Sequence, residues 1–261
     1  MQRSTSRTSA TMTLCLSILA GLCLFVSAYG QSKAQAKPPK TFVFVHGAWG
    51  GGWDYKQMES LLEAAGHRVY RPTLTGLGER VHLANPQVNL ETHIQDIVNV
   101  LKFEDLTGVV LVGHSYGGMV ITGVAHRVPE RISRLVYVDA MLTLDGESMF
   151  DLMGEQGREF FLNLANIKGE GWKIPPFWPD PGKDMPQPLE TFRQHISLGN
   201  PLAEKIPATY ILTLEPGATT DDFSRHAERA KQRGWKYYEL RTGHNPQRSM
   251  PKEYAEILMN E

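Results

Sequence analysis

Residues 113–117 read GHSYG, a serine with glycine at both second-neighbour positions. A serine hydroxyl is a weak nucleophile, so catalytic use of Ser115 needs a sharp turn that projects it and a base within hydrogen-bond reach. The apolar run VVLVG (109–113) and about ten residues of helical pattern after Ser115 predict strand, turn and helix in that order. Gly113, Gly117 and Gly118 leave room for such a turn to close, and this context separates the motif from a chance glycine turn. Acyl transfer also needs preorganised donors for an oxyanion, usually the backbone N–H after the nucleophile and one from the loop after the first core strand. Tyr116 and Ala48 hold those places; Ala48 lies in the glycine-rich loop HGAWGGGW (46–53), directly after TFVFV. A phosphate cradle is the rival reading of that loop, but no Lys-Ser/Thr pair follows its glycines.

Of the nine histidines, His244 has the address of a general base: it follows the last predicted strand, in RTGHN, and comes after Ser115 in the chain. His46 and His114 flank the glycine motifs and read as loop braces. His82, His93, His126, His195 and His226 read as surface or lid residues; no metal-ligand spacing links them, and no metal is expected. The acid that would orient His244 has two candidates. Asp139 ends RLVYV, on the strand after the nucleophile helix, and Glu215 ends TYILTL. Either carboxylate would fix the imidazole tautomer and stabilise the imidazolium.

These residues need a scaffold that brings strand ends together, and the chain from Thr41 onward alternates short β-branched runs with amphipathic helical patterns. That alternation predicts an α/β fold, a mostly parallel central sheet with helices on both faces. Predicted strands are 41–45, 67–71, 109–113, 134–138, 209–214 and 236–240; helices follow Asp54, fill 92–103 and about 221–233, and end the chain after Pro251. Asp54 with Gln57 reads as a capping box for the first helix. Residues 143–205 break the pattern: proline and aromatic residues concentrate there, with helical pieces but no obvious strand, so the segment reads as an inserted lid. Its Trp172, Phe177 and Trp178, with Met149 and Met153, suggest an apolar substrate pocket, or simply the packing of the lid onto the sheet.

Composition bounds the rest. The 261 residues carry 27 Lys plus Arg against 28 Asp plus Glu, and 41% are hydrophobic, which suits one ordinary folded domain over 41–261 and argues against nucleic-acid binding. Arg3 and Arg7 precede an uncharged apolar run, Leu14 to Val26, and the small residues Ala28 and Gly30 follow it. Residues 1–30 therefore read as a cleaved signal peptide, with export to periplasm or medium and no stable membrane span after processing. An uncleaved anchor is the alternative, though the run is shorter than the ~20 residues a span needs. Residues 31–40 read as a polar linker. Both cysteines, Cys15 and Cys23, lie in the leader, so a thiol nucleophile and thiolate metal sites are excluded from the mature chain. Oligomeric state is not set by any of these features.

Taken together, FVHGAWGGGW, RPTLTGLGERVHL, VLVGHSYGGMV, RLVYVDA and the terminal TGH resemble the α/β-hydrolase superfamily. More narrowly, the chain resembles its bacterial esterase and pyrethroid-hydrolase branch, related to plant methylesterases and hydroxynitrile lyases. The resemblance implies a Ser-His-acid triad, a helical cap, no cofactor, and small-molecule carboxylic esters as substrates. It puts the nucleophile on Ser115, the base on His244 and the oxyanion donors on Ala48 and Tyr116. Many relatives carry Asp where this chain has Glu215, which keeps Asp139 in contention. The plant lyases carry Thr and Lys where this chain has Gly47 and Asn245, and without that Lys a cyanide leaving group lacks its cation. A lyase, a cofactor-free oxygenase or a low-turnover ligand-binding module on the same scaffold remain the alternatives to an esterase.

Overall fold

The computed structural model describes residues 38–178 and 182–261; the expected leader and residues 31–37 of the linker lie outside the described residues. Six strands form one sheet: β1 (Thr41–Val45), β2 (Arg68–Tyr70), β3 (Val109–His114), β4 (Ile132–Val138), β7 (Ala208–Thr213) and β8 (Lys236–Leu240). Their order is β2-β1-β3-β4-β7-β8 and every pairing is parallel. Two short strands, β5 (Lys173–Ile174) and β6 (Gln187–Pro188), pair antiparallel between β4 and β7 in the chain. They correct the expectation of a strandless lid; two residues each are too few for any periodic pattern to announce them.

Helices α1 (Lys56–Ala64), α2 (Leu90–Phe103), α3 (Gly117–Arg127), α4 (Met149–Lys168), α5 (Glu190–Arg193), α6 (Ser224–Gln232), α7 (Pro246–Ser249) and α8 (Pro251–Met259) complete the chain. α2 starts where Asn89 accepts a hydrogen bond from the Thr92 backbone N–H at 2.9 Å, and Thr92 closes the box by accepting from the Asn89 N–H. The predicted Asp54 cap is not made. Asp54 sits in a tight turn ahead of α1, and its carboxylate instead accepts from Gln247 Nε2 and Arg248 Nε, both at 2.6 Å. A local capping rule lost there to partners almost two hundred residues away, which tie the turn to α7.

The sheet is buried on both faces because strand side chains alternate. Phe42, Phe44, Val110, Val112, Val136 and Val138 point to one side, against Met58 and Leu62 of α1 and Tyr254 and Leu258 of α8. Val43, Val45, Leu111 and Tyr137 point to the other, against Ile94 and Ile97 of α2 and Met119 and Val120 of α3. Register decides where function can lie: Val45 pairs with Gly113, His114 with Val138, Val138 with Ile211, and Thr213 with Leu240. The loops holding Ala48, Ser115, Asp139, Glu215 and His244 therefore leave the same edge of the sheet, its carboxyl ends. Among the described residues no helix is long and apolar enough to cross a membrane.

Burial on both faces makes the central strands the costliest place to lose volume. Leu111→Ala is expected to destabilise the protein by about 3 kcal/mol in urea denaturation, against less than about 0.5 kcal/mol for the exposed Phe103→Ala. Near-equal costs at the two positions would contradict this packing.

Candidate active site

Ser115 sits between β3 and α3 with φ +55°, the left-handed region that L side chains rarely adopt. The turn is held by Ser115 itself: its N–H donates to the Val138 carbonyl at 3.2 Å, and its carbonyl accepts from Gly118 and Met141, each at 3.0 Å. Gly117 is needed because a Cβ there would lie 2.5 Å from the Val45 carbonyl oxygen. Small residues thus let β1, β3 and the head of α3 approach closely enough to present the hydroxyl.

Asp139 follows β4 with φ +45° and is nearly inaccessible to solvent. It is stitched to the neighbouring strand twice, its N–H donating to the Ile211 carbonyl at 2.7 Å and its Oδ1 accepting from the Thr213 N–H at 3.0 Å. Its second oxygen, Oδ2, accepts from His244 Nδ1 at 2.6 Å. This contact places the proton on Nδ1 and leaves Nε2 as the basic nitrogen. Glu215 is not brought to the imidazole. It is exposed in the turn after β7, where its carbonyl accepts from the Ala218 N–H at 2.9 Å, and its carboxylate lies against the backbone of Gly243.

The His244 ring lies between Phe223, stacked at 4.7 Å and 14°, and His114, at 4.5 Å and 39°. Ser115 and His244 line one cavity of about 1000 Å³ together with Ala48 and Trp49. No hydrogen bond joins the Ser115 hydroxyl to His244 among the described residues; such contacts commonly tighten only when substrate is bound. Neither the Ala48 nor the Tyr116 backbone N–H meets a protein acceptor among the described residues, so both are available as donors.

The two histidines expected to brace loops each hydrogen-bond to one, His114 Nε2 donating to the His244 carbonyl at 2.7 Å. His46 is buried, donates from Nδ1 to the Gly47 carbonyl at 2.8 Å and accepts at Nε2 from the Leu74 N–H at 3.0 Å. Burial lowers its pKa and keeps it neutral. The expectation that His93 and His226 are surface or lid residues is overturned, since both are fully buried. His93 accepts from the Tyr116 hydroxyl at 3.0 Å and donates to the Thr75 carbonyl at 2.9 Å, fixing the residue after Ser115 from below. His226 accepts from the Leu142 N–H at 3.3 Å. Each sits on a helix whose partners are remote in sequence, so no local signal marked them as buried.

Phe177 and Trp178 line the cavity as expected, with Met149, Leu152, Met153 and Phe161 beside them. Trp172 does not. Its backbone N–H donates to the Gly169 carbonyl and its carbonyl accepts from the Leu189 N–H, and it does not line the cavity; Lys173 lies over its ring. The residue that sequence reasoning missed is Trp49, whose signal was its place in the glycine-rich loop after β1. It has φ +64°, and Phe161, Phe177, Trp178 and Phe192 all pack on it with centroids 4.9–5.9 Å away. Its indole N–H donates to the Ile174 carbonyl at 2.8 Å, joining loop to lid. Among the described residues no group of three His, Cys, Asp or Glu side chains could hold a metal ion.

A family model described as the alpha/beta hydrolase family matches residues 42–257. The chain belongs to the alpha/beta hydrolase family. Within it the chain sits with the bacterial esterases, pyrethroid hydrolases and plant methylesterases. It is 31% identical over 242 residues to a pyrethroid hydrolase of Sphingobium wenxiniae, covering 83% of this chain and 85% of that one. It is 54% identical over 112 residues to a carbendazim hydrolyzing esterase of a Nocardioides species, a match spanning 43% of this chain and only 46% of that protein. Among solved structures, an extracellular alpha/beta-hydrolase from a Paenibacillus species aligns with a TM-score of 0.73 and 27% identity, over 85% of this chain and 98% of that one.

Burial pushes both His93 and His226 down to about 4, and both regain an ordinary value near 6.5 on unfolding. The unfolded chain then binds more protons, so the stability from their neutral forms is complete above about pH 6.5 and is lost as pH falls towards 4. Urea midpoints measured between pH 7 and 4.5 should fall, and His93→Gln should flatten the slope by up to about 1.4 kcal/mol per pH unit. An unchanged slope in that variant would contradict the neutral buried histidine.

Proposed function

We propose that the chain is a serine carboxylic ester hydrolase in which Ser115 is the nucleophile, His244 the general base and Asp139 the acid that orients it. The observation that carries this reading is the 2.6 Å contact between His244 Nδ1 and Asp139 Oδ2 at the cavity that Ser115 lines. Ser115 Oγ attacks the ester carbonyl carbon while His244 Nε2 takes the hydroxyl proton. The resulting oxyanion is received by the free backbone N–H groups of Ala48 and Tyr116. Collapse expels the alcohol, which takes the proton from His244, and water activated by the same nitrogen then hydrolyses the acyl-enzyme. Asp139 holds the tautomer and stabilises the imidazolium throughout.

Small to bulky hydrophobic esters are the proposed substrates. Support comes from the apolar wall of Met149, Leu152, Met153 and Phe161 in a cavity of about 1000 Å³, and from relatives named for hydrolysis of pyrethroids and carbendazim. Export to periplasm or medium is also proposed, on Arg3, Arg7 and the Leu14 to Val26 run.

On aryl esters, Ser115→Ala is expected to lower kcat by about 10⁴-fold or more. Asp139→Asn should lower it by about 10³–10⁴-fold through loss of the correct tautomer, while Glu215→Gln changes it less than about threefold. A Glu215 variant more crippled than the Asp139 variant would reverse the acid assignment, and turnover untouched by Ser115→Ala would remove the mechanism. Across a panel of increasing acyl bulk, Phe161→Ala should raise KM for a bulky aromatic ester and spare acetate esters. A wild-type profile that collapses beyond short acyl groups would sink the substrate class.

A further inference from the structure

His114 precedes Ser115 at the end of β3 and is buried. Its Nε2 donates to the main-chain carbonyl of His244 at 2.7 Å. Among the described residues this is the only main-chain hydrogen bond made by Gly243 or His244. The side chain of His244 is fixed at Nδ1 by Asp139 and on one face by Phe223, but its backbone hangs on this one imidazole. The same ring reaches the oxyanion loop: a Cβ on Gly47 would lie 3.1 Å from His114 Nδ1 and 3.0 Å from Ser115 Cβ. One side chain therefore touches the loop of Ala48, the turn of Ser115 and the loop of His244.

We propose that His114 is a positioning residue that fixes the main chain of the general base relative to the nucleophile and the oxyanion loop. The inference rests on the proposed role of His244 as base. Donation to a carbonyl requires the proton on Nε2, so His114 works as a neutral imidazole of one tautomer. Burial and the neighbouring His244 both lower its pKa, so it stays in that form while His244 gains and loses its proton. It exchanges no proton with substrate. Its contribution is geometric, and displacement of a reacting group by about 1 Å costs on the order of 100-fold in rate.

The test compares three substitutions in the full chain. Gln carries an amide N–H at about the place of imidazole Nε2, Asn carries one too short to reach the His244 carbonyl, and Leu carries no donor. His114→Leu and His114→Asn are expected to lose about 100-fold in kcat on an aryl ester, with KM within about threefold, while His114→Gln stays within about fivefold of wild type. Melting temperatures identify a variant that fails to fold. If His114→Leu does not fold, the Asn and Gln pair decides. Equal kcat in Asn and Gln, wild-type kcat in Leu, or a loss carried by KM alone would overturn the proposal.

Phosphonylation of Ser115 by a fluorophosphonate probe, followed by mass spectrometry, separates this inference from the esterase reading. A wild type that cleaves no ester yet is phosphonylated, with Leu and Asn slowed and Gln retained, supports the role of His114 while the ester substrate fails. A wild type that is neither acylated nor phosphonylated at Ser115 overturns both.

Discussion

The short hydrogen bond from His244 Nδ1 to Asp139 Oδ2 joins the loop after the last strand to the middle of the sheet, and the rest of the site is arranged around it. A carboxylate as buried as Asp139 is costly unless its oxygens find donors. Here one oxygen has the Thr213 N–H and the other the imidazole, so satisfying the buried charge and orienting the ring are the same event. The parallel register makes this contact possible. Because β4 and β7 are neighbours and β4 ends at Val138 opposite Ile211, two residues before β7 ends, Asp139 in left-handed backbone lies beside the last residues of β7 and its short side chain reaches across to the loop after β8. Glu215, two residues past the end of β7, is longer but directed onto the Gly243 backbone.

On the opposite side of Ser115, the glycine-rich loop after β1 is shaped by packing rather than by charge. Trp49 is held in a left-handed conformation by its place at the centre of an aromatic cluster and by hydrogen bonds to Ile174 and Gln187 of the lid. The 143–205 segment therefore does two things at once: it walls the cavity with apolar side chains and braces the loop that carries Ala48. Beneath Ser115, the hydrogen bond between the buried His93 and Tyr116 side chains fixes the residue that follows it. In the proposed mechanism, N–H donors for a developing charge help only if they do not reorganise when it appears, and buried contacts of this kind would give that rigidity.

The sheet was legible because parallel strands buried on both faces read as short apolar runs, and all six predicted strands match within two residues at either end, the short edge strand β2 included. That Ser115 and His244 would meet at one cavity was legible from their turn contexts and their order in the chain. The choice between Asp139 and Glu215 was not, because both end strands and only the register and backbone conformation decide which reaches the ring. Trp172 was misplaced because counting aromatic residues in a lid gives no direction for any of them. His93 and His226 were misread for a related reason: burial by helix-to-helix packing leaves no mark within a few residues of a polar side chain. The Asp54 cap failed where a remote Arg248 and Gln247 outcompeted the local backbone.

The most direct test of covalent catalysis at Ser115 is the mass of the enzyme quenched in acid during turnover of a slowly deacylating aryl ester, followed by peptide mapping. The account predicts an acyl adduct on the peptide that contains Ser115, formed as the first alcohol is released. An enzyme of unchanged mass under rapid turnover, or an adduct on any other residue, would contradict it.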